Sequence, residues 1–319
     1  MLELPFTAEE LAQTRFALSP LWEVVASVRV LKHPDEHALH RPWVGWARRR
    51  LAGLDWRLLA DLVPPHMIPA FVCPPPSTPL PDLGLELATL RATPTDRVRE
   101  DLRDLHGERI AALDEDPAGG LQRLAEVIEA YWEAALAPYW PRIRTLLEGD
   151  ILYRARRLTE GGASRLFSDL DPSVTWDTDT LYVAHRHASG ARELAGRGLL
   201  LVPSVFAWPR VFSITSSRWQ PTLRYPPRGV GALWEHRETP APEALAAVLG
   251  RSRARLLAEL DAPASTQDLA RRTGLSAGGV SQHLTALRAA GLVNAHRTGR
   301  VVLYARTGAA ESLLTGATE

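Results

Sequence analysis

Between Ser265 and Ala290 the chain carries two helix-start signals on either side of a single glycine, and this stretch constrains the fold more than any other. Ser265-Thr-Gln-Asp268 supplies an N-cap hydroxyl and a first-turn acid, so a short helix is expected through Arg272, with Leu269 and Ala270 facing inward. Gly274 suits the left-handed position that closes such a helix, and Leu275 suits the apolar contact that follows. Ser276 then caps a second helix running to Ala290. Two helices joined by so short a turn must cross at a large angle, which is the helix-turn-helix arrangement.

The second helix has two unlike sides. At about 100° per residue, Val280, Leu284 and Leu287 fall within a sector of about 60°, while Gly278, Gln282 and Thr285 lie roughly 140° to 200° away. The apolar side packs, and the opposite side holds small and hydrogen-bonding residues without the long charges of an idle surface helix. Ala277 and Gly278 allow close approach, Ser281 and Thr285 donate or accept, and Gln282 pairs a donor with an acceptor as an adenine edge does. Gly291 ends the helix, and Leu292 to Arg297 and Val301 to Arg306 alternate around Thr298-Gly299-Arg300, the pattern of a hairpin with a cationic tip. Upstream, Glu243 to Leu260 is helical in pattern, in two pieces broken near Gly250.

Charge is organised locally. The 319 residues have zero formal net charge, so the molecule as a whole has no bias toward nucleic acid or anionic membranes. From Ser265 to Arg306, however, six arginines face Asp268 alone. Lys32 is the only lysine in the chain. Composition changes too, because the ten tryptophans all precede Glu235. Thr239-Pro240-Ala241-Pro242 is therefore read as a stiff connector between residues 1–240 and residues 241–319.

The first part is expected to be mainly helical, with a strand-containing part at about 172–234, giving a mainly α (α+β) chain. Thr7-Ala-Glu-Glu10 reads as a capping box opening a helix through about Ala17, and Ser19-Pro20 opens a second. Further helices are expected at Trp43 to Leu51, Trp56 to Leu62, Asp96 to His106, Gly120 to Ala137 and Arg142 to Leu158. After Asp171 the period changes, and Val174 to Trp176, Thr180 to Ala184, Leu199 to Pro203 and Val211 to Ile214 read as short strands. Pro74 to Pro81 forms an irregular crossing.

The string Ser265 to Arg306, STQDLARRTGLSAGGVSQHLTALRAAGLVNAHRTGRVVLYAR, resembles the winged helix-turn-helix of bacterial transcription regulators of the arsenic-repressor (ArsR) type. QTRFALSPLWEVVASVRVL (Gln13 to Leu31), GRGLLLVPSVF (Gly196 to Phe206) and YPPRGVGALW (Tyr225 to Trp234) are similar to a large domain of unknown function fused ahead of such winged helices. The resemblance implies a regulator, in the main a repressor, that binds double-stranded operator DNA as a homodimer and is released by an effector. It places Ser276, Gly278, Ser281, Gln282, His283, Thr285, Arg288, Arg297, Thr298 and Arg300 at the DNA, with Arg271 and Arg272 as further candidates for the backbone. The founding metal sensors of that family use a Cys-x-Cys pair on the first helix of the motif. Gln267 to Thr273 has no cysteine or histidine, so no metal and no cofactor is expected.

The alternative reading is a metal-dependent hydrolase in the first part, with the winged helix as a targeting or protein-interaction module. His33-Pro-Asp-Glu-His37 formally matches the H-x-x-E-H pattern of zinc peptidases. Zinc binding there needs both histidines on one continuous helix, which Pro34 opposes, and His40 suggests a polar surface turn. Gly161-Gly-Ala-Ser164 lacks the second glycine of a nucleophile elbow and reads as a helix connection. Trp176, Phe206, Trp208 and Trp219 are candidates to line a small-molecule pocket. Cys73, the only cysteine, excludes an internal disulfide and fits a reducing compartment. With no targeting leader and no apolar run long enough for a bilayer, a cytoplasmic enzyme-free regulator is expected.

Overall fold

A computed structural model describes residues 1–65, 67–185, 189–216, 218–234, 243–260, 263–298 and 301–316. The described residues form fourteen α-helices and eleven strands in two compact units. The first unit comprises 1–141 and 153–230, and the second comprises 142–152 and 231–319. The expected connector, Thr239 to Pro242, lies outside the described residues.

In the first unit β1 (Leu2–Pro5), α1 (Ala8–Ala12) and β2 (Arg15–Phe16) precede α2 (Pro20–Lys32), a helix buried from Pro20 to Leu31. Helices α3 (Arg41–Arg50), α4 (Arg57–Asp61), α5 (Leu83–Arg91), α6 (Thr95–Leu102), α7 (Glu108–Glu115) and α8 (Pro117–Ala135) follow. Of these, α3, α4, α5 and α8 pack against α2. Trp43 donates its indole hydrogen to the Ala135 carbonyl at 3.0 Å, and Ser27 pairs with the Tyr131 hydroxyl at 2.9 Å, so these polar groups are bonded where they are buried.

The long helix α9 (Trp140–Phe167) kinks at Gly161-Gly162, where Gly162 has φ +66°. Beyond it β3 (Val174–Asp177), β4 (Thr180–Val183), β5 (Gly190–Ala191), β6 (Leu200–Pro203), β7 (Phe212–Ile214) and β8 (Thr222–Tyr225) build two four-stranded sheets, β3-β4-β1-β5 and β2-β6-β8-β7. In the second sheet β2 pairs parallel to β6, and β6 parallel to β8.

Several expectations need correcting. The first helix stops at Ala12 and not near Ala17, because Arg15 and Phe16 leave it to pair with Leu200 and Leu201. His37 and His40 do not lie on a surface turn. Each is at most 1% exposed, with Phe206 and Trp208 packed on His40, the His37 Nδ1 2.9 Å from the Trp208 carbonyl, and His40 bonded to the Val205 backbone. Both lie under an aromatic cover supplied from more than 160 positions away in sequence. Strands β1 and β8 and helices α5 and α7 went unforeseen, the two strands being only four residues long.

Two buried carboxylates clamp α2. Glu86 accepts from the Ser19 hydroxyl at 2.6 Å and the Leu21 amide at 2.7 Å, serving the free donors at the helix start. Glu23 accepts from the Val205 and Phe206 amides at 2.8 and 3.2 Å and from the Ser204 hydroxyl at 3.1 Å. Burial raises both carboxyls to about 7, against the hydrogen bonds that favour their charged forms. Between about 4.5 and 7 the unfolded chain therefore gives up each proton before the folded chain does, and each group lowers stability as pH rises through that window. His37 and His40, held below the usual imidazole value by burial, act in the opposite sense. A difference measurement separates them. The stability of wild type minus that of Glu86→Gln, from urea melts, should fall by up to about 3 kcal/mol between those pH values. A pH-independent difference would contradict the assignment.

Candidate nucleic-acid interface

Within the second unit, α10 (Glu243–Leu249) and α11 (Arg251–Glu259) are separated at Gly250, as the sequence suggested. Strand β9 (Ala264–Ser265) leads into α12 (Thr266–Thr273). Ser265 caps it, accepting from the Asp268 amide at 3.2 Å, and Asp268 is also bonded by the Thr145 hydroxyl at 3.2 Å. Gly274 closes the helix at φ +70° and donates to the Ala270 carbonyl at 2.9 Å. Ser276 then caps α13 (Ala277–Ala289) by accepting from the Gly279 amide at 3.1 Å. After Gly291 at φ +69°, β10 (Val293–Thr298) and β11 (Val301–Arg306) pair antiparallel, and β11 pairs in turn with β9 through Leu303 and Ser265. The hairpin is thereby tied to the residue that caps α12.

Val280, Leu284 and Leu287 are at most 1% exposed and join Leu256, Leu257, Leu260, Leu269 and Leu292 in one small core. Across the helix from this stripe Gly278, Gln282 and Thr285 are exposed, as are Ser276, Ser281 and Arg288 on its sides, while His283 is half-buried at the edge of the core. Nothing lies within 4 Å of where a Cβ on Gly278 would stand, so that end of α13 is open to close approach. Thr285 donates its hydroxyl to the Ser281 carbonyl at 2.9 Å, which commits its proton and leaves its methyl and lone pairs outward.

The two candidate arginines of α12 differ. Arg272 is exposed but engaged, its Nε 2.9 Å from Oε2 of the buried Glu259 and its Nη2 2.6 Å from the Glu259 carbonyl. Arg271 is largely exposed and pairs with Asp268. The side chains of Arg297 and Thr298, and Arg300 as a whole, lie outside the described residues.

The candidate pocket aromatics have different surroundings. Trp176 stacks on Phe167 at 5.2 Å and edges Phe6 in the sheet core. Phe206 packs on Trp43 at 4.5 Å and on His40, which Trp208 also touches. Trp219 lines a cavity of about 340 Å³ with Arg97, Glu100, Asp101, Ser216 and Arg218. Those partners come from α6 and a loop some 120 positions later, a meeting that sequence spacing does not signal. The H-x-x-E-H string is no helix: α2 ends at Lys32, His33 is its C-cap, and Pro34–Glu36 is a separate 3-10 turn. Among the described residues no group of three or more His, Cys, Asp or Glu is placed to hold a metal ion. No helix among them is long and apolar enough to cross a membrane.

Comparison with known proteins agrees with this geometry. Residues 249–295 match a family model described as a helix-turn-helix domain. Residues 103–230 match a family of unknown function (DUF5937). No curated protein and no solved structure matches the chain. The C-terminal unit thus carries the capped helix pair of a DNA-binding domain. The chain is a DNA-binding transcription regulator with a domain of unknown function ahead of its helix-turn-helix.

The turn sets the geometry of the exposed flank. Gly274→Ala places a Cβ at a left-handed position, which should lower the stability of this unit by about 1 to 2 kcal/mol in thermal melts. An unchanged melting temperature would show that α12 does not depend on this closure.

Proposed function

We propose that the protein is a repressor of the arsenic-repressor type that binds its operator as a homodimer in the cytoplasm and is modulated by a small molecule bound in the first unit. Helix α13 enters the major groove, with Gly278, Ser281, Gln282 and Thr285 toward base edges and Ser276, His283 and Arg288 toward the backbone. The hairpin of β10 and β11 acts as a wing, on which Arg297, Thr298 and Arg300 meet phosphates or the minor groove. The observation that carries this reading is the exposed, hydrogen-bonding flank of α13 opposite the buried Val280, Leu284 and Leu287. The local arginine excess and the resemblance of Ser265 to Arg306 to the family's motif support it.

Two-fold symmetry then puts two copies of α13 on half-sites about one helical turn apart, or a multiple of it, so the operator is an imperfect palindrome. Affinity drawn from arginine–phosphate contacts falls steeply with salt. Selection of duplexes from a random pool by the full chain tests this. Gln282→Ala should lose about 1 to 3 kcal/mol of discrimination at one base pair per half-site, while Arg288→Ala should weaken every duplex alike. Equal loss on all sequences for Gln282→Ala would remove it from base reading, and failure to enrich any motif would overturn the proposal.

A further inference from the structure

The cavity beside Trp219 belongs wholly to the first unit and is lined by four charged side chains of balanced sign. Arg97 lays its guanidinium 4.8 Å over the Trp219 ring, and among the described residues its side chain makes no hydrogen bond or ion pair. Asp101 is half-buried beside it, accepting from the Phe71 amide at 3.1 Å and from the Ala70 backbone. Burial raises its carboxyl despite those bonds and the nearby Arg97. Across the space Arg218 pairs with Glu100. A guanidinium lodged over an indole face still has N–H groups to offer, and its fork suits a carboxylate taken two-pronged.

A ligand of one sign would meet repulsion from half of this lining. A molecule bearing both signs would not, since its carboxylate can face Arg97 while its ammonium faces Asp101. The volume, about 340 Å³, stands at the small end of ligand pockets and admits one small molecule. The indole edge and Ala70 offer apolar surface for the rest of it.

From this arrangement we infer that the Arg97–Asp101–Trp219 cavity binds a small zwitterion of the α-amino acid type. It is the seat of the effector in the function proposed above, and rests on that reading for its regulatory role but not for binding itself.

Calorimetric titration of the full chain with each of the twenty standard amino acids, one at a time, tests the inference. At least one should bind, and its two halves, the matching carboxylate without the amine and the amine without the carboxylate, should bind at least tenfold more weakly. Arg97→Gln and Asp101→Asn should each cost tenfold or more. Ser216→Trp, at an exposed rim position, should block binding by filling the space, so the test does not hang on a single variant's folding. The inference is overturned if none of the twenty binds, if either half binds as well as the whole, or if all three variants bind as wild type does. DNA affinity measured alongside separates the two readings: an amino acid that binds without altering DNA affinity supports the site and removes its effector role. Absence of binding with sequence-selective DNA recognition intact removes the site and leaves the regulator.

Discussion

The burial of Val280, Leu284 and Leu287 is the constraint on which the DNA-binding unit depends. Three large side chains on one stripe, each worth about 1.5 to 3 kcal/mol on leaving water for valine and leucine, fix the rotation of α13 about its own axis. Once that rotation is fixed, the residues on the far side have no say in which way they point. Gly278, Gln282 and Thr285 face outward because the leucines face inward. The caps set the ends: Ser276 holds the first turn, and Gly291 lets Leu292 fold back so that its amide reaches the Leu287 carbonyl at 2.9 Å. The β9–β11 pairing then ties the hairpin to Ser265, the N-cap of the preceding helix, so both ends of the motif share one support.

The first unit is organised on a different principle. Its central helix α2 is buried from Pro20 to Leu31 and carries Glu23, Ser27 and Arg29 with it, so packing alone cannot account for it. Arg224 illustrates the solution, lying 4.1 Å over the Trp22 ring while donating to the Cys73 carbonyl at 2.5 Å. Buried polar groups left without such partners would each cost on the order of 1 to 3 kcal/mol, so the polar clamps on α2 specify its neighbours as well as tolerating its charges.

What could be read from the sequence follows from this contrast. In the second unit nearly every signal is local: Ser265 and Ser276 cap within three residues, Gly274 and Gly291 take left-handed backbone where a helix ends, and the hairpin strands alternate as neighbours. Local signals survive in a linear reading. In the first unit the deciding contacts are distant. Arg15 and Phe16 become a strand only because Leu200 and Leu201 lie alongside, and His40 is buried only because Phe206 and Trp208 cover it. The charged side chains that meet Trp219 at its cavity leave no local signal, for the same reason. Arg272 shows the limit inside the legible unit as well, since its spacing suits a phosphate contact and Glu259 thirteen residues earlier takes it.

The central claim is that the outward flank of α13 meets base edges. A photoreactive amino acid placed at position 282 of the full chain, irradiated on its selected duplex, tests this most directly. The account predicts crosslinks to bases in the major groove at one position of each half-site, lost when salt releases the complex. Stable binding to the same duplex with no base crosslink from position 282 would contradict it.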